Sequence, residues 1–267
     1  KADFEAMVWG HARSKDLVSW EEMPVALYAD KEYDADGVWS GTAIVKDNRL
    51  YVFYAAIYQP DKGGFRKETV CMAYSDDGIN FTKSQNNPLI STPPKEGGSD
   101  FRDPAVIEID GIYYMIVATG NQEEKKGRLL LYKSKNLINW EYKGVVKEWD
   151  GCKFCECPSV VKYKDKYLVT TSVVPLDNKH YFTMMLGHFI NDKFVAECVG
   201  SFQKGPDQYA GQIFNDDKRR AIFIAWVSGW HFQEWHSDKC LGCLSTAMEI
   251  KVEDGKFSAY PVEETQF

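Results

Sequence analysis

Two short stretches of this sequence set a carboxylate close before a proline and an apolar β-type run. They are Arg102-Asp103-Pro104-Ala105-Val106-Ile107 and Glu156-Cys157-Pro158-Ser159-Val160-Val161. Pro104 fixes its own φ and biases Asp103 towards an extended backbone, so Asp103 is expected at the mouth of a strand. Arg102 carries a permanent charge and is expected to keep the neighbouring carboxylate ionised. Two acids in such settings have the composition of a two-carboxylate active site. An Asp before Pro also serves in ordinary turns, so either motif alone is equally a structural device.

The elements that would position these acids are written as a repeat. Ser14-Lys15-Asp16-Leu17-Val18-Ser19-Trp20 recurs as Ser75-Asp76-Asp77-Gly78-Ile79-Asn80-Phe81 and as Ser134-Lys135-Asn136-Leu137-Ile138-Asn139-Trp140, at offsets of 61 and 59 residues. Weaker copies at residues 188–194 and 251–257 continue the series at offsets of 54 and 63. Each copy is a polar turn that ends on an aromatic residue. A second series interleaves with it. Strand-like segments open at Trp39-Ser40-Gly41, at the Asp103 stretch, at the Glu156 stretch and at Tyr209-Ala210-Gly211. Each leads through a polar turn into another apolar segment, at residues 50–54, 112–117, 167–171 and 221–226. These read as hairpins, and no helix is expected. Glu123-Glu124-Lys125-Lys126 reads as a solvated charge run in a loop.

Modules of four short strands repeated radially make a β-propeller, and five turn registers imply five blades. The opening segment occurs only four times, because thirteen residues precede Ser14. The expected fold is therefore an all-β, five-bladed β-propeller spanning residues 1–267 as one domain. The first half of blade one is expected to be absent from the sequence.

Composition narrows the partners. A net charge of −7 and a pI near 5.4 argue against nucleic acid and anionic membrane. No stretch approaches the roughly 18 apolar residues of a membrane span. Aromatic residues make up 14% of the chain, which suits strands and sugar-stacking surfaces. The seven cysteines are an odd number, so a complete disulfide framework is impossible. Cys152, Cys155 and Cys157 cluster, as do Cys240 and Cys243, but nearly ninety residues separate the groups. Common zinc modules use about 12–20. Reduced thiols without a metal are expected, in a cytoplasmic protein with secretion left open, as Lys1-Ala2-Asp3-Phe4 leads straight into folded-looking sequence with no signal peptide in it. His231 and His236 are five residues apart and would face opposite sides of a strand, so they read as loop histidines.

The sequence resembles the catalytic propeller of glycoside hydrolase family 32, the invertases, β-fructosidases and sucrose-6-phosphate hydrolases. The resemblance covers essentially the whole chain. It rests on Trp9-Gly10-His11-Ala12-Arg13-Ser14-Lys15-Asp16-Leu17-Val18-Ser19-Trp20, Trp39-Ser40-Gly41, Phe101-Arg102-Asp103-Pro104 and Glu156-Cys157-Pro158. It implies a retaining hydrolase that releases fructose from a fructoside and needs no cofactor. By that likeness Glu156 is the general acid/base, Asp103 stabilises the transition state, Arg102 binds substrate, and Trp39 and Ser40 line the fructose pocket. The cysteines and Pro158 around Glu156 are an apolar setting, expected to raise its pKa. Tyr209 and Trp230 are candidates for the sugar walls.

The departures from the family pattern are specific. The family's nucleophile is an Asp in an Asn-Asp-Pro-Asn-Gly segment just ahead of Trp-Gly-His. Residues 1–20 lack it, so it is expected upstream of residue 1. The family's C-terminal β-sandwich is likewise not expected in this chain. The usual Leu-Pro-Arg-Glu segment reads Ser245-Thr246-Ala247-Met248-Glu249, and Val70 stands where a Gln is frequent. Sucrose, its 6-phosphate, inulin and levan all stay open as the fructoside. So do a fructosyltransferase, a non-catalytic fructan-binding propeller, and an inverting propeller of the arabinanase/xylosidase type.

Overall fold

The computed structural model describes residues 6–60, 65–203, 208–227 and 242–266. Among the described residues, nineteen strands carry the chain, with two three-residue 3-10 turns at Glu32–Asp34 and Glu263–Thr265 and no α-helix. None of these helical turns is long and apolar enough to cross a membrane.

The strands form five antiparallel sheets, each laid down in chain order. β1 (Trp9–Ser14) pairs with β2 (Trp20–Leu27). The second sheet is β3 (Gly37–Lys46), β4 (Arg49–Tyr58), β5 (Lys67–Ser75) and β6 (Thr82–Lys83). The third is β7 (Asp100–Ile109), β8 (Ile112–Asn121), β9 (Lys126–Ser134) and β10 (Glu141–Asp150). The fourth is β11 (Cys152–Tyr163), β12 (Lys166–Pro175), β13 (Tyr181–Ile190) and β14 (Lys193–Gly200). The fifth is β15 (Gln208–Asn215), β16 (Ala221–Val227), β18 (Met248–Glu253) and β19 (Lys256–Pro261), with β17 (Cys243–Leu244) pairing β16. The first strands β3, β7, β11 and β15 neighbour one another in that order. The arrangement is all-β and propeller-like. Only four of its sheets carry four or more strands among the described residues, so the expectation of five blades is met here in part.

The core lies in the seams between sheets. Phe53, Val70 and Met72 of the second sheet pack on Phe101, Met115 and Leu130 of the third. Ala105, Ile116 and Leu129 of the third meet Val160, Val169 and Met185 of the fourth. Val161, Phe182 and Met184 of the fourth meet Ile213, Phe223 and Ile250 of the fifth. The middle strands are covered on both faces, which is why β4, β8 and β12 read as near-continuous apolar runs. Val70, where the family pattern suggested a polar residue, is fully buried in such a seam.

The repeated turn has one structure. Leu17, Gly78 and Leu137 take φ of 62°, 70° and 66°, and each donates its N–H to the hydroxyl of the Ser three residues back. The next two amides bond the Asp16, Asp77 or Asn136 side chain. The turn joins the third and fourth strands of the second and third sheets, and it joins β1 to β2. The Glu123–Lys126 charge run is a hairpin turn that is partly paired. Lys126 opens β9 and meets Glu148 at 2.5 Å, and Glu124 pairs with Arg128.

Asn136 satisfies two backbone amides from an exposed position, so its loss acts through the turn alone. Asn136→Ala is expected to destabilise the protein by about 1 kcal/mol, a fall of about 2–4 °C in Tm. Lys135→Ala, next to it and without these bonds, is expected to leave Tm unchanged in the same calorimetric scan.

Candidate active site

Each first strand carries one extra residue at the same level. The pairing register slips between Trp39 and Gly41, Arg102 and Ala105, Glu156 and Ser159, and Tyr209 and Gln212. Such a bulge bends the strand and re-aims its side chains. Here it turns Trp39, Arg102, Glu156 and Tyr209, one from each of four sheets, towards one cavity of about 990 Å³. Ser40, Asp103, Cys157 and Ala210, the next residue in each strand, line it too. At Gly41 a Cβ would sit 1.8 Å from the Phe53 carbonyl oxygen, so that bulge admits only glycine.

The backbone at Asp103 differs from expectation. Asp103 lies inside β7 rather than at its mouth, and its φ is +57° rather than extended. Aspartate tolerates this left-handed region better than most residues. The conformation sends its carboxylate across to the next sheet, where Oδ2 accepts the Cys157 N–H at 2.8 Å.

Arg102 is held from several sides. Its Nη1 donates to Glu68 at 3.0 and 3.2 Å and to Asp100 at 2.7 Å. Its Nη2 and Nε donate to Glu156 Oε1 at 2.8 and 3.3 Å. The guanidinium lies 4.8 Å from the Phe154 ring centre and 5.8 Å from that of Trp39. The side chain is 5% exposed. Burial disfavours its charge, and the Glu68 and Glu156 carboxylates outweigh this and keep it charged. Glu156 therefore sits beside a guanidinium rather than in the apolar setting expected, and its Oε2 accepts the Tyr209 hydroxyl hydrogen bond.

Arg102 does not hold the Asp103 proton affinity down as expected. Asp103 is 3% exposed, and burial pushes its carboxyl up to about 6, with the Glu156 charge adding and Arg102 and the Cys157 N–H opposing. Burial wins because Arg102 spends its hydrogen bonds on the other three carboxylates.

Of the residues expected at the site, Trp39, Ser40, Arg102, Asp103, Glu156 and Tyr209 all line the cavity. Trp230 lies outside the described residues, as do His231, His236 and Cys240. Cys152 and Cys155 pack in the third-to-fourth seam, whereas Cys157 lines the cavity. Among the described residues no group of His, Cys, Asp and Glu is placed to hold a metal ion. Sequence reasoning missed Glu68, Asp100, Phe154, Asp36 and His180. Asp100 was legible as a third acid two residues from Arg102. Glu68 gave no signal, because it comes from another sheet.

A meandering propeller whose first strands bring an arginine and two carboxylates into one cavity defines the architectural class. The family follows. The model for the N-terminal domain of glycosyl hydrolases family 32 matches residues 1–261, and the chain belongs to that family. It is 32% identical over 241 residues to the sucrose-6-phosphate hydrolase of Bacillus subtilis (strain 168), covering 84% of this chain and 49% of that protein. It is also 32% identical over 256 residues to the levanase of the same organism, covering 85% of this chain and 36% of that one. Among solved structures, a family 32 β-fructofuranosidase from Bombyx mori superposes with a TM-score of 0.83 at 28% identity, covering 96% of this chain and 56% of that one. A mutant of the Bombyx mori protein has been solved in complex with sucrose. The chain spans about half the length of the sucrose-6-phosphate hydrolases it matches.

The raised proton affinity of Asp103 makes stability depend on pH. Unfolded, the carboxyl ionises near 3.9; folded, near 6. The native state thus favours the neutral acid, so this contribution is complete below about pH 4 and is lost as pH rises through 6. Asp103→Asn cannot ionise. From pH 4 to pH 8 the variant is expected to gain on the order of 3 kcal/mol of stability relative to the parent. Urea unfolding at both pH values checks this, and a constant difference would show that burial does not perturb Asp103.

Proposed function

We propose that this chain is the catalytic propeller of a retaining β-fructofuranosidase, releasing β-D-fructose from sucrose or a fructan. The observation that carries the reading is the convergence of Asp103 and Glu156 from two sheets on one cavity, with Arg102 hydrogen-bonded to Glu156. In this reading Glu156 is the general acid/base. Arg102 holds Oε1, so Oε2, shared with the Tyr209 hydroxyl, delivers the proton to the leaving oxygen. Asp103 grips fructose hydroxyls and stabilises the positive charge that grows on the furanosyl ring. Its raised proton affinity leaves it mostly ionised at neutral pH, which that role requires. Trp39, Ser40, Arg102 and Tyr209 form the walls, with Trp230 proposed as a further one. No cofactor enters the chemistry. The names of the relatives, a sucrose-6-phosphate hydrolase and a levanase, support a fructoside as substrate.

We read the β1–β2 sheet as the outer pair of a fifth blade, so that residues 1–267 are one propeller domain. Three observations support this. The β1–β2 turn is the third-to-fourth-strand turn of the second and third sheets. Trp9 packs on the second sheet and donates to the Trp39 carbonyl at 2.9 Å. Leu17 packs against Ile222 in the last sheet, Ala247 just ahead of β18 and Val262 just after β19. The inner pair of that blade is not among the described residues, and the nucleophile that a retaining reaction needs is expected on it. The free, buried thiols Cys71, Cys152, Cys155 and Cys157 suit a reducing compartment, in keeping with a cytoplasmic protein.

Glu156→Ala and Asp103→Asn, made in the full-length protein, are each expected to lower kcat on sucrose by about 10²–10⁴-fold. Fructose release measured with a coupled assay decides it, and near-parental turnover by either variant would sink the assignment. Proton NMR of the first product should show β-fructofuranose, and the α anomer would exclude retention.

A further inference from the structure

The cavity residues stand on a buried charge network that reaches well behind them. Glu68 belongs to β5, in the second sheet, and its side chain is fully buried. It crosses the seam to the third sheet, where Oε2 accepts the Phe101 N–H at 2.9 Å and both oxygens accept from Arg102 Nη1. Asp100 Oδ1 accepts from the same nitrogen at 2.7 Å. Arg66 closes the rear of the cluster, 2.5 Å from Glu68 and 3.6 Å from Asp100, and stacks 4.8 Å from the Trp39 ring centre. Glu68 lies outside the cavity lining.

We propose that Glu68, with Asp100, is a positioning residue that sets the orientation and proton affinity of Glu156 through Arg102. This rests on the reading of Glu156 as the acid/base. Two constraints lead to it. A guanidinium is a planar fork, so carboxylates fixed on Nη1 dictate where the Nε–Nη2 edge points, and that edge points at Glu156 Oε1. An unopposed guanidinium at that distance would also bind the ionised form of Glu156 so strongly that it could not serve as an acid. Glu68 and Asp100 draw off that field from behind. Removing either carboxylate therefore changes the charge that Glu156 faces.

The other groups facing this pair are few. Glu156 is faced by Arg102 and Asp103 from β7 and by Tyr209 from β15, with Cys155 and Cys157 beside it on its own strand. His180 lies beyond, its ring 4.5 Å from that of Tyr209. Arg102 is faced by Glu68, Asp100, Asp103 and Glu156, with Arg66 behind the first two. Glu68 is the one of these that reaches Arg102 from the second sheet.

The test is Glu68→Gln in the full-length protein. The substitution keeps the shape and one acceptor oxygen for the Phe101 N–H, removes the charge, and puts an NH2 donor where Oε1 accepts from Arg66 and Arg102. Glu156 is followed by 13C NMR with labelled glutamate, its resonance assigned through Glu156→Gln. With Arg102 less neutralised, the Glu156 titration is expected to move to lower pH. The alkaline limb of kcat/KM on sucrose should follow it, with kcat falling about tenfold and KM within about twofold. Asp100→Asn, which touches the same nitrogen, is expected to shift the titration the same way and stands in if Glu68→Gln does not fold. A seam residue with a merely structural role would lower Tm and leave the titration in place, so an unmoved titration in the folded variant overturns the proposal. The NMR arm does not depend on turnover. A parent that releases no fructose would count against the fructosidase reading, while the titration would still decide the role of Glu68.

Discussion

A guanidinium cannot be taken out of water alone, and the burial of Arg102 is the constraint on which this site depends. With 5% of its side chain exposed, it needs anions at hydrogen-bond distance in the plane of its fork. The protein supplies them from three sheets: Glu68 from the second, Asp100 from the third and Glu156 from the fourth. The clusters that fill those seams are apolar, so the guanidinium depends on these three carboxylates. It also ties the sheets into one relative placement. The carboxylate proposed as the acid/base is thereby also a structural partner of the arginine.

The network is not neutral. Four carboxylates, Glu68, Asp100, Asp103 and Glu156, stand against two guanidiniums, Arg66 and Arg102. The acid without a direct arginine contact absorbs the imbalance, and that acid is Asp103. Its proton affinity rises because burial, with the Glu156 charge, outweighs the Arg102 charge and the hydrogen bonds from Cys157. On the proposed reaction, a sugar ring that develops positive charge would relieve the same imbalance. The resting state is then less stable than an apolar filling of the cavity would be. Complementarity to a cationic transition state has this consequence wherever negative charge is assembled before the substrate arrives.

Much of this was legible in the sequence because it is local. The Ser-x-Asp/Asn turn could be read from spacing, since its hydrogen bonds run within four residues. The hairpins could be read from polar turns between apolar runs, and the six described pocket residues from motifs a few residues long. What could not be read is non-local or conformational. Glu68 meets Arg102 across 34 residues and a sheet boundary, and no periodicity marks that pairing. Glu156 looked apolar because its sequence neighbours are, whereas its spatial neighbours are Arg102 and Tyr209. The extended backbone expected before Pro104 gave way to a left-handed one, because the bulge in β7 decides that dihedral.

The backbone tells the same story from a different quantity. Most non-glycine residues with positive φ sit in turns, many of them Asp or Asn in hairpins, where the side chain suits the conformation. Asp103, Cys157 and Ala210 differ. They lie within strands, at φ of 57°, 48° and 52°, each in the bulge of its own first strand and each lining the cavity. Cysteine and alanine have no preference for that region, which costs roughly 1–2 kcal/mol per residue. Among the described residues, this non-glycine strain recurs at one level of three successive sheets and nowhere else within their strands, so it belongs to the cavity rather than to the fold. The apolar seams offset it. A propeller seam can hold a bent inner strand because the middle strands beside it are covered on both faces, and the rigidity that fills the core is what lets the site keep its unfavourable geometry.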